Sequence, residues 1–379
     1  MRNFALEVFF SKWEFAAKHH LTASDAQSMT LSELLVLASA EDRARFDVLH
    51  LGYTKTFGSP TLLAEIARTY DAISDDQLLC FAGAEEGIYV AMRVLLSADD
   101  HAVVITPNYQ AAETIPLSIC AVTGVPLDEA SGWALDVDAI KAALRPNTRL
   151  ISINFPNNPT GAIPSRHTFD ALVDLCRSRG IWLFSDEVYR LIEREPASRL
   201  PQVADVYERG VSLGVMSKAY GLPGLRISWL ACQDRVFLGK CELYKHYLSI
   251  CNSAPSELLA EIALKAADTI LTRNRSIVQH NTGLLNAFFG HFPDVFDWRP
   301  SDGGCVAFVR YKPSPWGTDG VEAFTQRLVE ESGVLLLPSS IYHSELGPVP
   351  QDRFRIGFGR FGMEEGLAAF REWLMRNRA

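Results

Sequence analysis

The chain has no Cys-x-x-Cys pair, and its seven cysteines (Cys80, Cys120, Cys176, Cys232, Cys241, Cys251 and Cys305) are scattered and odd in number. That argues against a disulfide framework and against a cysteine-held metal; reduced thiols, mostly in apolar surroundings, are expected. Long hydrophobic runs are missing too. No stretch approaches the length of a membrane span, and the apolar start Met1–Phe10 is interrupted by Glu7 and followed by Lys12 and Glu14, which excludes a signal-peptide core. Basic blocks are absent: 36 Lys and Arg stand against 45 Asp and Glu, a formal net charge of -9. Nothing in that balance favours nucleic acid. Repeats and low-complexity segments are also lacking. A soluble, cytoplasmic protein with neither membrane nor nucleic-acid partners is expected.

What is present is apolar material for a large core. Of 379 residues, 48% are hydrophobic, and at roughly 100–200 residues per domain two domains are expected. Short apolar runs at 78–81, 102–106, 150–155, 181–185 and 211–216 alternate with helix-period segments such as 86–97 and 165–179. That alternation predicts an α/β fold with a mostly parallel sheet flanked by helices. The next run, 227–231, follows 211–216 too closely for a parallel crossover and is expected to return antiparallel. The carboxy-terminal part reads as a smaller α+β domain, with strands at 306–310, 334–337 and 353–358 and helices at 318–331 and 363–377. The segment 255–289 reads as a long helix joining the two. The expected division is a large domain over 46–275 and a small one made of 1–45 and 276–379.

The chemistry is expected where the strands end, because open α/β sheets bind ligands beyond the carboxyl ends of their strands. Five such ends carry unusual residues: Gly83-Ala84-Glu85-Glu86-Gly87, Pro107-Asn108-Tyr109, Pro156-Asn157-Asn158-Pro159-Thr160-Gly161, Asp186-Glu187-Val188-Tyr189 and Ser217-Lys218. Each has an ordinary reading when taken alone: a turn, a helix cap, a loop aromatic. Their convergence on one cleft fits the demands of pyridoxal phosphate. Lys218 would form the imine with the cofactor aldehyde and then move the substrate α-proton. Backbone N–H groups of Ala84 and Glu85, with Ser217 and Arg226, would hold the phosphate. Asp186 would face the pyridine nitrogen, Tyr109 would stack on the ring, and Asn158 and Tyr189 would bond the phenolic oxygen.

Those motifs resemble the class I/II aminotransferases, fold-type-I enzymes of pyridoxal phosphate. The resemblance runs from about Leu51 to Phe358 and is carried by Asn157-Asn158-Pro159-Thr160-Gly161, Asp186-Glu187-Val188-Tyr189, Ser217-Lys218 and Pro223-Gly224-Leu225-Arg226. It implies the same roles for Asn158, Asp186, Tyr189, Lys218 and Arg226. It adds Tyr53, similar to a family tyrosine that reaches the partner subunit's cofactor phosphate, and Arg355, similar to the arginine that clamps the substrate carboxylate. Three positions depart from the common pattern: Val215, Leu63 and Ser339. The amino-terminal segment lacks the usual glycine-rich entry strand and is weakly similar to capreomycidine-synthase-like members; the stretch around Ser24 and Asp25 is expected to line the entrance.

The expected function is amino transfer between an amino acid and a 2-oxo acid by a homodimer with shared active sites, a task of amino-acid metabolism and biosynthesis. A pyridoxal-phosphate lyase or cyclase is the alternative. A non-catalytic binding protein on the same scaffold is a third reading, disfavoured by the retention of Lys218, Asp186 and Arg355. The sequence does not identify the group that reads the substrate side chain; Arg273 and Arg275 are candidates without an assigned place.

Overall fold

A run such as Leu78-Leu79-Cys80-Phe81 is apolar at every position, so it satisfies its side chains only where both faces of a sheet are covered. In the computed structural model, which describes residues 1–312 and 320–377, all four of these residues are buried. In chain order the strands are β1 (His19–His20), β2 (Leu78–Phe81), β3 (His101–Thr106), β4 (Ala121–Pro126), β5 (Thr148–Asn154), β6 (Trp182–Asp186), β7 (Gly210–Val215), β8 (Ser228–Ala231), β9 (Phe296–Asp297), β10 (Val306–Tyr311), β11 (Val334–Leu335), β12 (Leu337–Pro338) and β13 (Arg353–Gly357). The main sheet has seven strands in the order β2-β8-β7-β6-β5-β3-β4. Strands β7, β6, β5, β3 and β4 pair in parallel, and β8 pairs antiparallel with both β7 and β2.

The antiparallel return expected after 211–216 is therefore present. Its turn is closed by Leu222 N–H to the Met216 carbonyl at 2.9 Å and by Met216 N–H to the Ile227 carbonyl at 3.0 Å. Arg226 stands in that turn in the left-handed region, φ 52°, so it precedes β8 rather than starting it. The edge strand β4 was not anticipated. Gly124 and Pro126 punctuate it and much of it faces outward, so neither alternation nor apolarity marks it, as is usual for such residues at a sheet edge.

A second, four-stranded antiparallel sheet has the order β12-β13-β10-β9. The single strand expected at 334–337 is divided: β11 pairs in parallel with β1, while β12 joins β13. The long helix expected at 255–289 is likewise two helices, Ala254–Lys265 and Ala267–Gly290, separated at Ala266. The helix expected over 318–331 is seen as Val321–Ser332; its residues 318–319 lie outside the described residues.

Between the two sheets runs the segment 21–27. Leu21 accepts from Gly357 N–H at 2.9 Å, Ala26 donates to the Lys218 carbonyl at 3.2 Å, and Gln27 donates to the Gly359 carbonyl at 2.7 Å. The contact is tight enough that a Cβ on Gly357 would lie 1.8 Å from the Ala23 carbonyl oxygen. Nearby, the helix Ala40–Asp47 is tied to Ala254–Lys265 by Arg45 and Lys265, which share the carboxylates of Asp42 and Glu261. All seven cysteines are free thiols. Among the described residues, no helix is long and apolar enough to cross a membrane.

Candidate active site

The carboxyl ends of β2, β3, β5, β6 and β7 lead to one cavity of about 560 Å³, within the usual range for small-molecule sites. Ala84, Glu85, Tyr109, Asn158, Asp186, Tyr189, Ser217, Lys218, Arg226 and Arg355 all line it. Tyr53 does not: it is 91% exposed and is not among the lining residues.

At one end, the helix Ala84–Leu95 begins at Gly83, whose φ of +103° favours glycine. A Cβ added there would lie 2.3 Å from Arg226 Nη2. The Arg226 guanidinium thus covers the helix amino terminus, where backbone N–H groups and the helix dipole already favour an anion. Glu86 folds back to accept from Ala82 N–H at 2.6 Å, which fixes the approach of the chain to that terminus.

In the middle of the cavity, the Lys218 ammonium donates to Ser24 Oγ at 2.9 Å and lies 5.9 Å above the Tyr189 ring. Burial lowers the basicity of this amine. Burial also pushes the Asp186 carboxyl up to about 6, against the opposing effects of the Val188 N–H and of Lys218. Asn154 braces both neighbouring loops: its Nδ2 donates to the Asp186 carbonyl at 2.9 Å and its Oδ1 accepts from Asn158 N–H at 2.8 Å. The Tyr189 hydroxyl is buried and makes no hydrogen bond, although the Ser24 hydroxyl is near enough to act on its ionisation. Tyr109 packs against Phe4, and the Glu85 carboxyl lies close enough to act on its ionisation. The Glu85 surface is open to the cavity, yet the protein around it raises its carboxyl to about 7, mainly by desolvation.

At the other end, Arg355 is fully buried in the interior strand β13. Its Nη1 donates to Asn158 Oδ1 at 3.2 Å and to Tyr342 Oη at 2.8 Å, and its Nη2 donates to the Thr22 carbonyl at 2.8 Å. Its Nε has no partner. A buried guanidinium with an unused donor is costly unless a ligand anion completes it.

Sequence reasoning missed Asn154, Thr22 and Tyr342, and it gave Ser24 no contact with the lysine. Tyr342 follows Ser339-Ser340-Ile341 and sits in no recognisable motif; only the fold brings it to Arg355. Arg273 and Arg275 are outside the cavity lining: Arg273 donates to the Gln27 carbonyl at 2.9 Å and Arg275 to the Leu191 carbonyl at 2.8 Å.

This donor set fits pyridoxal phosphate. A cationic helix terminus suits the phosphate, a buried carboxylate the pyridine nitrogen, an amine of lowered basicity the aldehyde, and an unpartnered phenol the ring oxygen.

A family model described as "Aminotransferase class I and II" matches residues 22–367. Capreomycidine synthase from Streptomyces vinaceus is 30% identical over 375 residues, 97% of this chain and 93% of that protein. Arginine–pyruvate transaminase AruH from Pseudomonas aeruginosa is 30% identical over 300 residues, 74% of this chain and 72% of that protein. Among solved structures, a PLP-dependent aminotransferase from Streptococcus suis superposes with a TM-score of 0.91 at 28% identity, covering 100% of this chain and 99% of the other.

Proposed function

We propose that Lys218, Asp186 and Arg355 are the working residues of this chain, which belongs to the class I and II aminotransferases and is a pyridoxal-phosphate-dependent aminotransferase. When bound, the cofactor supplies an aldehyde that takes up the amino group and a protonated ring that draws electrons from the substrate α-carbon. Lys218 would hold the aldehyde, and its amine, of lowered basicity, would accept and return the substrate α-proton. Asp186 keeps the ring nitrogen protonated, with Asn154 fixing its loop. Tyr189 and Asn158 would bond the ring oxygen, Tyr109 would cover the ring, and Ser217, Arg226 and the N–H groups of Ala84 and Glu85 would hold the phosphate. Arg355 clamps the substrate carboxylate through a planar fork that a lysine could not reproduce.

The observation that carries this reading is the placement of Lys218 in the same cavity as Asp186 and the buried Arg355. The test is product analysis: purified protein with pyridoxal phosphate, an amino acid and a 2-oxo acid acceptor. The reading expects a new 2-oxo acid in step with amination of the acceptor, without free ammonia. Ammonia release or a cyclised amino acid, independent of the acceptor, would favour the lyase or cyclase reading. That second reading is supported by the 97% coverage against capreomycidine synthase, which includes the amino-terminal segment.

The chain also acts as a homodimer in this proposal, with Tyr53 serving the partner's phosphate site. In support, Tyr53 is 91% exposed, with Leu51, Val236 and Tyr247 also left in solvent. The proposed division remains a large unit over 46–275 and a small one over 1–45 and 276–379. A cytoplasmic location accords with the free cysteines, and amino-acid biosynthesis with the substrates proposed.

A further inference from the structure

Strand β13 carries two buried arginines, Arg353 and Arg355, two residues apart and so on one face of its sheet. Arg355 lines the candidate active site. Arg353 lines a second cavity of about 230 Å³, a size that suits a small metabolite. None of the residues proposed for the cofactor or the substrate lines this second cavity.

Arg353 is 8% exposed. Its Nη1 donates to the Phe308 carbonyl at 2.9 Å, its Nη2 pairs with Glu129, and its Nε has no partner. Its guanidinium lies 5.0 Å from the centroid of the Trp133 ring. Trp133 itself stands at φ 68°, a backbone conformation that bulky residues seldom adopt. Arg299 lies against Gly132, where a side chain would collide with its guanidinium. Its ion pair with Asp302 is long, 3.8 Å, and is not a hydrogen bond. Asp297, in the same lining, forms no ion pair with a described residue.

One small volume therefore holds an unused buried guanidinium donor, a loosely paired second guanidinium and a carboxylate without a cation, beside an indole. A plain anion would meet the carboxylates of Glu129, Asp297 and Asp302, and a plain cation the two arginines. A zwitterion satisfies both signs.

We infer that this second cavity binds a free α-amino acid as an effector. Its carboxylate goes to Arg353 and Arg299, its ammonium to Asp297, and its side chain against Trp133. The site is connected to the first. The Phe308 ring lies 6.1 Å from that of Trp133 and 5.5 Å from that of Tyr342, and the Tyr342 hydroxyl accepts from Arg355 Nη1 at 2.8 Å. Thr160 lines the second cavity and Asn158, two residues earlier in the same loop, bonds Arg355. A ligand that holds Trp133, Phe308 and this loop also holds the partners of Arg355. On the proposed reading, in which Arg355 clamps the substrate carboxylate, the effector tightens binding of the amino donor.

The test is calorimetric titration of the cofactor-loaded, borohydride-reduced protein, in which bound amino acids do not react, with each of the twenty standard amino acids. At least one should bind. Its affinity should fall at least roughly tenfold in Arg299→Ala, and likewise in Arg353→Lys, which keeps the charge and loses the Nε donor, but should persist in Arg355→Lys. The matching 2-oxo acid and the matching decarboxylated amine should each bind at least roughly tenfold more weakly. Arg299→Ala should keep the parent's rate without effector, which shows that it is folded. With a different amino acid as donor, the effector should lower KM for that donor about fivefold or more at unchanged kcat, and the shift should be missing from Arg299→Ala. Absence of binding by all twenty would overturn the inference. So would equal binding of the 2-oxo acid, or binding lost in Arg355→Lys yet intact in Arg299→Ala and Arg353→Lys. Selective binding without a KM shift would refute the role of effector. Selective binding to a protein that transfers no amino group would keep the site and refute amino transfer.

Discussion

Lys218 Nζ and Ser24 Oγ meet at 2.9 Å across 194 residues of chain. The lysine follows β7 of the main sheet, and the serine sits in the segment pinned between that sheet and β13. The same segment supplies the Thr22 carbonyl that orients Arg355. The amine that handles the cofactor and the guanidinium proposed for the substrate are therefore positioned by one short stretch of backbone.

Loss of the Ser24 hydroxyl should leave the lysine in place but free to rotate. Ser24→Ala is expected to lower kcat by roughly tenfold, the range of one hydrogen bond to a charged group, with cofactor affinity nearly unchanged. Ser24→Thr, which keeps the hydroxyl, should recover most of the rate. Steady-state kinetics and cofactor titration on both variants check this; equal rates for the alanine variant and the parent would contradict it.

Asp186 sets a trade between stability and activity. Its carboxyl is raised from an ordinary 3.8 to about 6, chiefly by burial. The folded, cofactor-free protein thus holds this proton more tightly than the unfolded chain does. The stability cost of ionising it is absent below about pH 4, grows between the two values, and is complete above about pH 6; at about 1.4 kcal/mol per unit it is of the order of 2–3 kcal/mol. Asp186→Asn cannot ionise. Without cofactor, the variant should be the more stable protein above pH 6, with the difference vanishing near pH 4, while its activity falls by at least roughly a hundredfold. Thermal unfolding against pH, with a rate assay, reads both.

Gly83 is fixed by Arg226. Gly83→Ala combines an unfavourable φ of +103° with a methyl group 2.3 Å from Arg226 Nη2, so the arginine must leave the helix terminus. We expect a stability loss of about 1–3 kcal/mol and an affinity for pyridoxal phosphate weakened by roughly tenfold or more. Titration of the cofactor-free protein with pyridoxal phosphate checks the second figure; an unchanged dissociation constant would remove Arg226 from the phosphate site.

Much of the fold was legible because the main-sheet strands are buried on both faces and read as plain apolar runs. The close spacing of 211–216 and 227–231 was enough to reverse β8. Where two forces compete, legibility fails. The edge strand β4 carries a glycine and a proline and little apolar signal. The run 334–337 looks continuous, yet β1 pairs with its first half and β13 with its second, and the break falls at Leu336. In the cavity, residues next to a strand end announced themselves in compact motifs. Tyr342, Thr22 and Asn154 did not, because they act through hydrogen bonds whose partners only the folded chain brings together, which leaves no recognisable motif. Glu7 and Glu14 were read only as breaks in an apolar terminus; their place on the cavity wall depends on how the amino-terminal helix is carried across it.

The central claim is that Lys218 binds pyridoxal phosphate covalently. The direct measurement is reduction of the cofactor-loaded protein with borohydride, followed by proteolysis and mass spectrometry, with Lys218→Ala treated in parallel. The cofactor mass should appear on the peptide containing Lys218 alone, and the visible absorption band of the parent should be missing from the folded variant. A label on another lysine, or an unchanged band in Lys218→Ala, would contradict the account.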